Sequence, residues 1–95
     1  MLYVAFVRSR RTAEPGDVHA KSDQWWNQGE CPEGLTIRSI IGTLGTGLPN
    51  LYVFEATEHS DISKLVRFWS ADFDIDVYPA VDLLPVFREQ GMNIG

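Results

Sequence analysis

Between residues 51 and 81 the hydrophobic pattern changes period twice. Residues 51–56, Leu-Tyr-Val-Phe-Glu-Ala, are apolar on both alternating faces, which predicts a strand covered on both sides. Ile62, Leu65, Val66 and Trp69 then recur at i, i+3, i+4 and i+7, one face of a helix, with Ser63, Lys64 and Arg67 on the wet side. Ser60 is the expected N-cap and Asp61 suits the positive end of the helix. From Phe73 to Tyr78 the pattern alternates again, with Phe73, Ile75 and Val77 inward and Asp74 and Asp76 outward. The segment therefore reads as strand, helix, strand.

The rest of the chain extends this reading. Residues 2–8 form a first strand, with Leu2, Val4 and Phe6 on one face and Tyr3, Ala5 and Val7 on the other. A basic connector follows. Thr12 as N-cap, with Glu14, Pro15 and Asp17 in the first turn, opens a helix that stops before Gly29. Its apolar stripe is thin: Val18, Ser22, Trp25 and Trp26, with Ala20 to the side. Such a helix packs loosely over most of its length and is the expected lid or mobile wall. Cys31-Pro-Glu-Gly34 suits a type I turn. Residues 35–43 are rich in β-branched residues and predict a second strand, joined to the third by a Gly- and Pro-punctuated loop at 44–50. The tail, residues 82–95, holds a short apolar turn interrupted by Pro85.

The order is βαββαβ: an α+β, ferredoxin-like arrangement with an antiparallel sheet, strand one lying between strands three and four. The expectation is one domain over residues 1–95, with its core in 2–81. The helices cover one sheet face. The central strands are apolar on the second face too, so a partner must cover it. Two such sheets meeting face to face make a dimeric α+β barrel, and the expected partner is a second copy of the chain.

Composition excludes more than it selects. Hydrophobic residues make up 44% and charged residues 22%, a globular balance. A net charge of −5 argues against nucleic acid and against an anionic membrane surface. The apolar N-terminal run is too short to span a bilayer. A single cysteine, Cys31, makes no intrachain disulfide and suits a reducing cytoplasm, the expected location. Its neighbouring carboxylates raise a thiol pKa, which disfavours a nucleophile. The glycines at 42, 45 and 47 precede no helix start, so they form a turn rather than a phosphate cradle.

Several residues resemble a known family. Glu55-Ala56 after the third strand, Phe68-Trp69-Ser70 at the helix end, Ile75-Asp76-Val77 and Pro79-Ala80-Val81 look like a family of small bacterial domains of unknown function. The turn at 31–34 is similar to that family's Pro-x-Gly turn. The resemblance implies the dimeric α+β-barrel, ferredoxin-like fold. More distant relatives of that fold are cofactor-free monooxygenases, muconolactone-type isomerases and haem degraders, a likeness of fold alone. The haem degraders pair an Asn on strand one with a helical Trp and a later His. Here strand one has no Asn and no His follows Trp69.

The candidate chemistry is aromatic. Adjacent helical residues point about 100° apart, so Trp25 and Trp26 cannot share one core, and one of them faces a pocket rim or an interface. The expected ligand site lies between helices and sheet, lined by Tyr3, Trp25, Tyr52 and Trp69. It suits a small apolar or aromatic molecule, with Arg38 available to a carboxylate unless Glu55 pairs with it. His19 and His59 are the only bases near neutrality and the weak catalytic candidates for cofactor-free oxygenase or isomerase chemistry. Neither has partners at metal-ligand spacing, so neither a metal nor a cofactor is expected. The alternative is a non-catalytic interaction or regulatory module anchored by a tryptophan. Arg8, Arg10 and Arg11 are expected to pair with Asp72, Asp74 and Asp76 across neighbouring strands.

Overall fold

The structure, a computed structural model, describes residues 1–10, 15–45 and 48–95. Its elements run β1 (Leu2–Ser9), α1 (Pro15–Asn27), β2 (Leu35–Ile41), β3 (Asn50–Ala56), α2 (His59–Trp69), β4 (Phe73–Pro79) and α3 (Leu84–Glu89). The expected cap at Thr12, and Arg11, Glu14 and Gly47, lie outside the described residues, as do the side chains of Pro15 and Asp17.

The four strands form one open antiparallel sheet in the order β2-β3-β1-β4. The central strand β1 bonds to β3 with Ala5 opposite Tyr52, and to β4 with Ala5 opposite Val77. Alternation along β1 then decides what is buried. Tyr3 and Ala5 fall on the helix side and are buried; Leu2, Val4 and Phe6 fall on the other side and remain half-buried. Among the described residues the buried set is Tyr3, Ala5, Trp25, Leu35, Phe54, Ala56 and Leu65, all between sheet and helices. Tyr3 stacks on Phe54 with ring centroids 5.7 Å apart.

On the edge strand β2 the pairing slips between Ile37 and Ser39, so Arg38 occupies a bulge. The strand ends at Ile41, two residues earlier than its β-branched pattern predicts. Beyond it, Thr43 is held by its own hydrogen bonds: its N–H donates to Asn50 Oδ1 (3.3 Å) and its hydroxyl to Pro49 O (3.0 Å).

α1 ends as predicted. Gly29 takes the left-handed conformation (φ 84°), and the amides of Glu30 and Cys31 return to the carbonyls of Gln24 and Trp25. α2 starts differently. It begins at His59, so Ser60 sits inside the first turn rather than capping it, and its hydroxyl donates to the Glu58 carboxylate at 3.2 Å. The bridge across this start is the Thr57 hydroxyl donating to Asp61 Oδ2, at 3.3 Å. The expected turn at 31–34 is displaced by one residue, because Leu35 N bonds Pro32 O. The tail is a short helix rather than an interrupted turn. Pro85 lies in its first turn, where its missing N–H costs nothing, and Asp82 Oδ1 accepts from Leu84 N at 3.0 Å.

Gly34 connects two of these features. Its carbonyl accepts the Thr57 amide at 3.1 Å, and a methyl group at its Cα would collide with both the Thr57 hydroxyl and the Asp61 carboxylate. Gly34→Ala must therefore break the Thr57–Asp61 hydrogen bond. The expected loss is about 1 kcal/mol, read as a fall in Tm of roughly 4–8 °C.

Candidate functional site

Adjacent residues on one helix part company at Trp25 and Trp26. Trp25 is 1% exposed and Trp26 is 45% exposed. The Trp25 indole lies 5.0 Å from the ring of Phe68 and 6.1 Å from that of Trp69, and Trp69 lies 5.7 Å from Phe73. Three elements thus meet in one aromatic cluster: α1 gives Trp25, α2 gives Phe68 and Trp69, and β4 gives Phe73. Phe68 was missing from the predicted stripe. It sits three residues after Leu65, at the margin of the apolar face, and only its packing against Trp25 reveals it.

A second tie lies beside the cluster. Lys21 Nζ is 2.9 Å from Asp72 Oδ2, and both side chains are largely shielded, at 24% and 16% exposure. The same ammonium lies 5.1 Å from the Phe68 ring centroid and 5.8 Å from that of Trp69. The Asp72 carboxylate therefore pairs with Lys21, and its carbonyl accepts the Arg10 amide at 2.9 Å. Arg10 takes Asp74 at 2.9 Å, as expected, in an exposed pair contributing at most about 1 kcal/mol. Arg11 lies outside the described residues.

Where α1 carries few apolar side chains, a hollow of about 100 Å³ remains. Its wall is formed by Ala5, Val7, Val18, Ser22, Trp25, Trp26, Ile37, Tyr52, Leu65, Trp69, Phe73 and Ile75. Trp26 is the one exposed residue of that wall. Besides the indole N–H groups, its side chains bring two hydroxyls. Ser22 donates to Val18 O within the helix at 2.9 Å, and burial pushes the Tyr52 phenol above its ordinary pKa. Tyr52 thus stays protonated at neutral pH, a donor and not a base.

Of the residues singled out from sequence, Trp25, Tyr52 and Trp69 share this wall. Tyr3 is buried away from the hollow, stacked on Phe54. Arg38 is on the exposed edge strand, where its guanidinium binds the Glu55 carboxylate, Nε to Oε2 at 2.9 Å. The ion-pair alternative for Arg38 is thus the one observed. His19 on α1 and His59 at the start of α2 are both exposed, and neither lines the hollow. Cys31 is half-buried, and burial, before the nearby Asp61, is what raises its thiol pKa. Glu30, the expected cause, reaches instead toward Lys64, at 3.6 Å. Among the described residues no three His, Cys, Asp or Glu side chains gather to hold a metal.

The two tryptophans should separate cleanly in urea unfolding. Trp25→Ala is expected to cost roughly 3–5 kcal/mol, a large part of what a small domain has. Trp26→Ala is expected to cost under about 1 kcal/mol. Equal costs would contradict the division of labour described. No protein-family model and no curated protein matches this chain.

Proposed function

We propose that this chain is a homodimeric, ferredoxin-like domain that binds a small apolar or aromatic molecule in the hollow between α1 and the sheet. The observation that carries the reading is the wall itself: three tryptophans and Tyr52 around an unfilled space, with no charged side chain among its described residues. Interiors normally pack without such gaps, and apolar hollows of this kind stay dry and accept apolar guests. The volume limits the guest. A cavity of about 150 Å³ holds benzene, and drug-sized pockets run from about 300 Å³. The hollow of about 100 Å³ suits a single small ring or a short branched chain, with some give in α1.

The hollow supports binding more than chemistry. Cofactor-free oxygenase or isomerase turnover needs a base beside the substrate, and the described wall offers a serine and a protonated phenol. The dimer is supported by the half-buried apolar sheet face of Leu2, Val4 and Phe6, and the ferredoxin-like assignment by the strand order. A cytoplasmic location rests on the lone cysteine. No helix among the described residues is long and apolar enough to cross a membrane. The second reading, a non-catalytic interaction or regulatory module, is favoured by one observation, the exposure of Trp26.

Benzene is the simplest probe. In a ¹⁵N-edited NMR titration, the indole N–H signals of Trp25 and Trp69 should shift saturably. Ser22→Leu should abolish the effect, because it fills the hollow and sacrifices only a hydrogen bond within the helix. Shifts that grow linearly without saturating, or that persist in Ser22→Leu, would overturn the binding site and favour the interaction module.

A further inference from the structure

The chain exposes far more surface than its mass requires. A compact protein of 10.7 kDa exposes roughly 5,500 Å², whereas this one exposes 6796 Å². Its radius of gyration, 15.1 Å, also exceeds the roughly 12 Å expected for its length. The difference in area, about 1,300 Å², exceeds the approximately 800 Å² that each partner buries in a standard interface.

Much of the exposed apolar surface lies in two patches. One is the C-terminal segment, where Leu83, Leu84, Val86, Phe87, Met92 and Ile94 are all exposed; Phe87 is 42% exposed. The other is the end of β2, where Ile41 on the open face is 49% exposed and Leu44 fully so, while Ile40 pairs with Tyr52 on the helix side. Isolated exposed apolar residues are ordinary, but grouped ones mark a contact surface. An apolar edge strand is moreover a liability unless something covers it.

The topology places these patches at opposite corners of the sheet. The C-terminal segment leaves from Pro79, at the end of edge strand β4 where Tyr3 pairs with Pro79. Ile41 ends the other edge strand, paired with Leu51, which in turn pairs with Phe6 at the far end of β1. A twofold axis lying between two open sheet faces, along the remaining diagonal, brings the C-terminal corner of each copy onto the Ile41 corner of the other. One symmetry operation covers both patches twice, as an isologous dimer requires.

We infer that the C-terminal segment carrying α3 seats on the apolar corner formed by Ile41 and Leu44 of a second copy of this chain. This rests on the sheet-face dimer proposed above and names the segment that locks it.

Complementation tests it. Sedimentation velocity should give a dimer for the wild-type chain. Phe87→Lys and Ile41→Glu should each weaken the dimer at least about 100-fold, the consequence of burying an unpaired charge. An equimolar mixture of the two variants should dimerise again, because one contact of the mixed pair is then wild type and the other pairs opposite charges. Near-UV circular dichroism should stay unchanged in both variants, showing the aromatic cluster intact. Single variants that are monomeric and do not complement each other would overturn the pairing of these two patches. Variants that remain dimeric would overturn the role of α3 while leaving the sheet-face dimer standing, to be broken by Val53→Asp. A monomeric wild-type chain would overturn both.

Discussion

The burial of Trp25 is the constraint on which this small fold depends. α1 has a thin apolar stripe, so it cannot adhere to the sheet along its length as an amphipathic helix does. One large side chain, 1% exposed and in contact distance of Phe68 and Trp69, takes over that role. The Lys21–Asp72 pair adds a second point of attachment one helical turn earlier. Two-point attachment has a consequence. Between Val18 and Trp26 the helix bridges the sheet without filling the space beneath it, and the hollow is what remains. The same residue that holds the helix down thus walls the candidate binding site.

The sheet carries the opposite imbalance. Its helix-facing side is closed by Tyr3, Ala5, Leu35, Phe54 and Ala56. Its other side has the same apolar character in β1 but no buried residue among those described. A chain of 95 residues cannot enclose both faces of a four-stranded sheet with two helices and a short third one. The apolar residues of α3 do not resolve this within one copy, since all of them remain exposed. A cavity on one side and an unmet surface on the other follow from the same shortage of helix.

What could be read from sequence was what depends on period. The alternation of β1, β3 and β4 and the heptad-like spacing of α2 gave the elements, and the two-faced apolarity of β1 gave its central place in the sheet. The division between Trp25 and Trp26 also follows from helical geometry alone. Which of the two turns inward does not, because it depends on how α1 is rotated against the sheet, a tertiary matter. Likewise Phe68 lies outside the stripe of Ile62, Leu65, Val66 and Trp69 and yet packs between Trp25 and Trp69. The bulge at Arg38 was illegible because it is set by a partner distant in sequence, the neighbouring strand β3. Of five residues chosen for the site, Tyr3 and Arg38 stand apart from the hollow. One belongs to the deep core, and the other already has its carboxylate in Glu55.

Native-state hydrogen exchange tests the central claim most directly, namely that α1 is held at two points over a hollow while the sheet is held throughout. Amides of α1 between Val18 and Trp25 should exchange through a partial opening, with a free energy below that of Ala5 and Val7 on the doubly bonded strand β1. That opening should depend less on denaturant than global unfolding does, since it uncovers Trp25 and the wall beneath it but leaves the sheet paired. If the α1 amides instead exchanged with the same free energy and the same denaturant dependence as those of β1, the helix and sheet would unfold as one unit. The loosely bridged hollow would then not describe this protein.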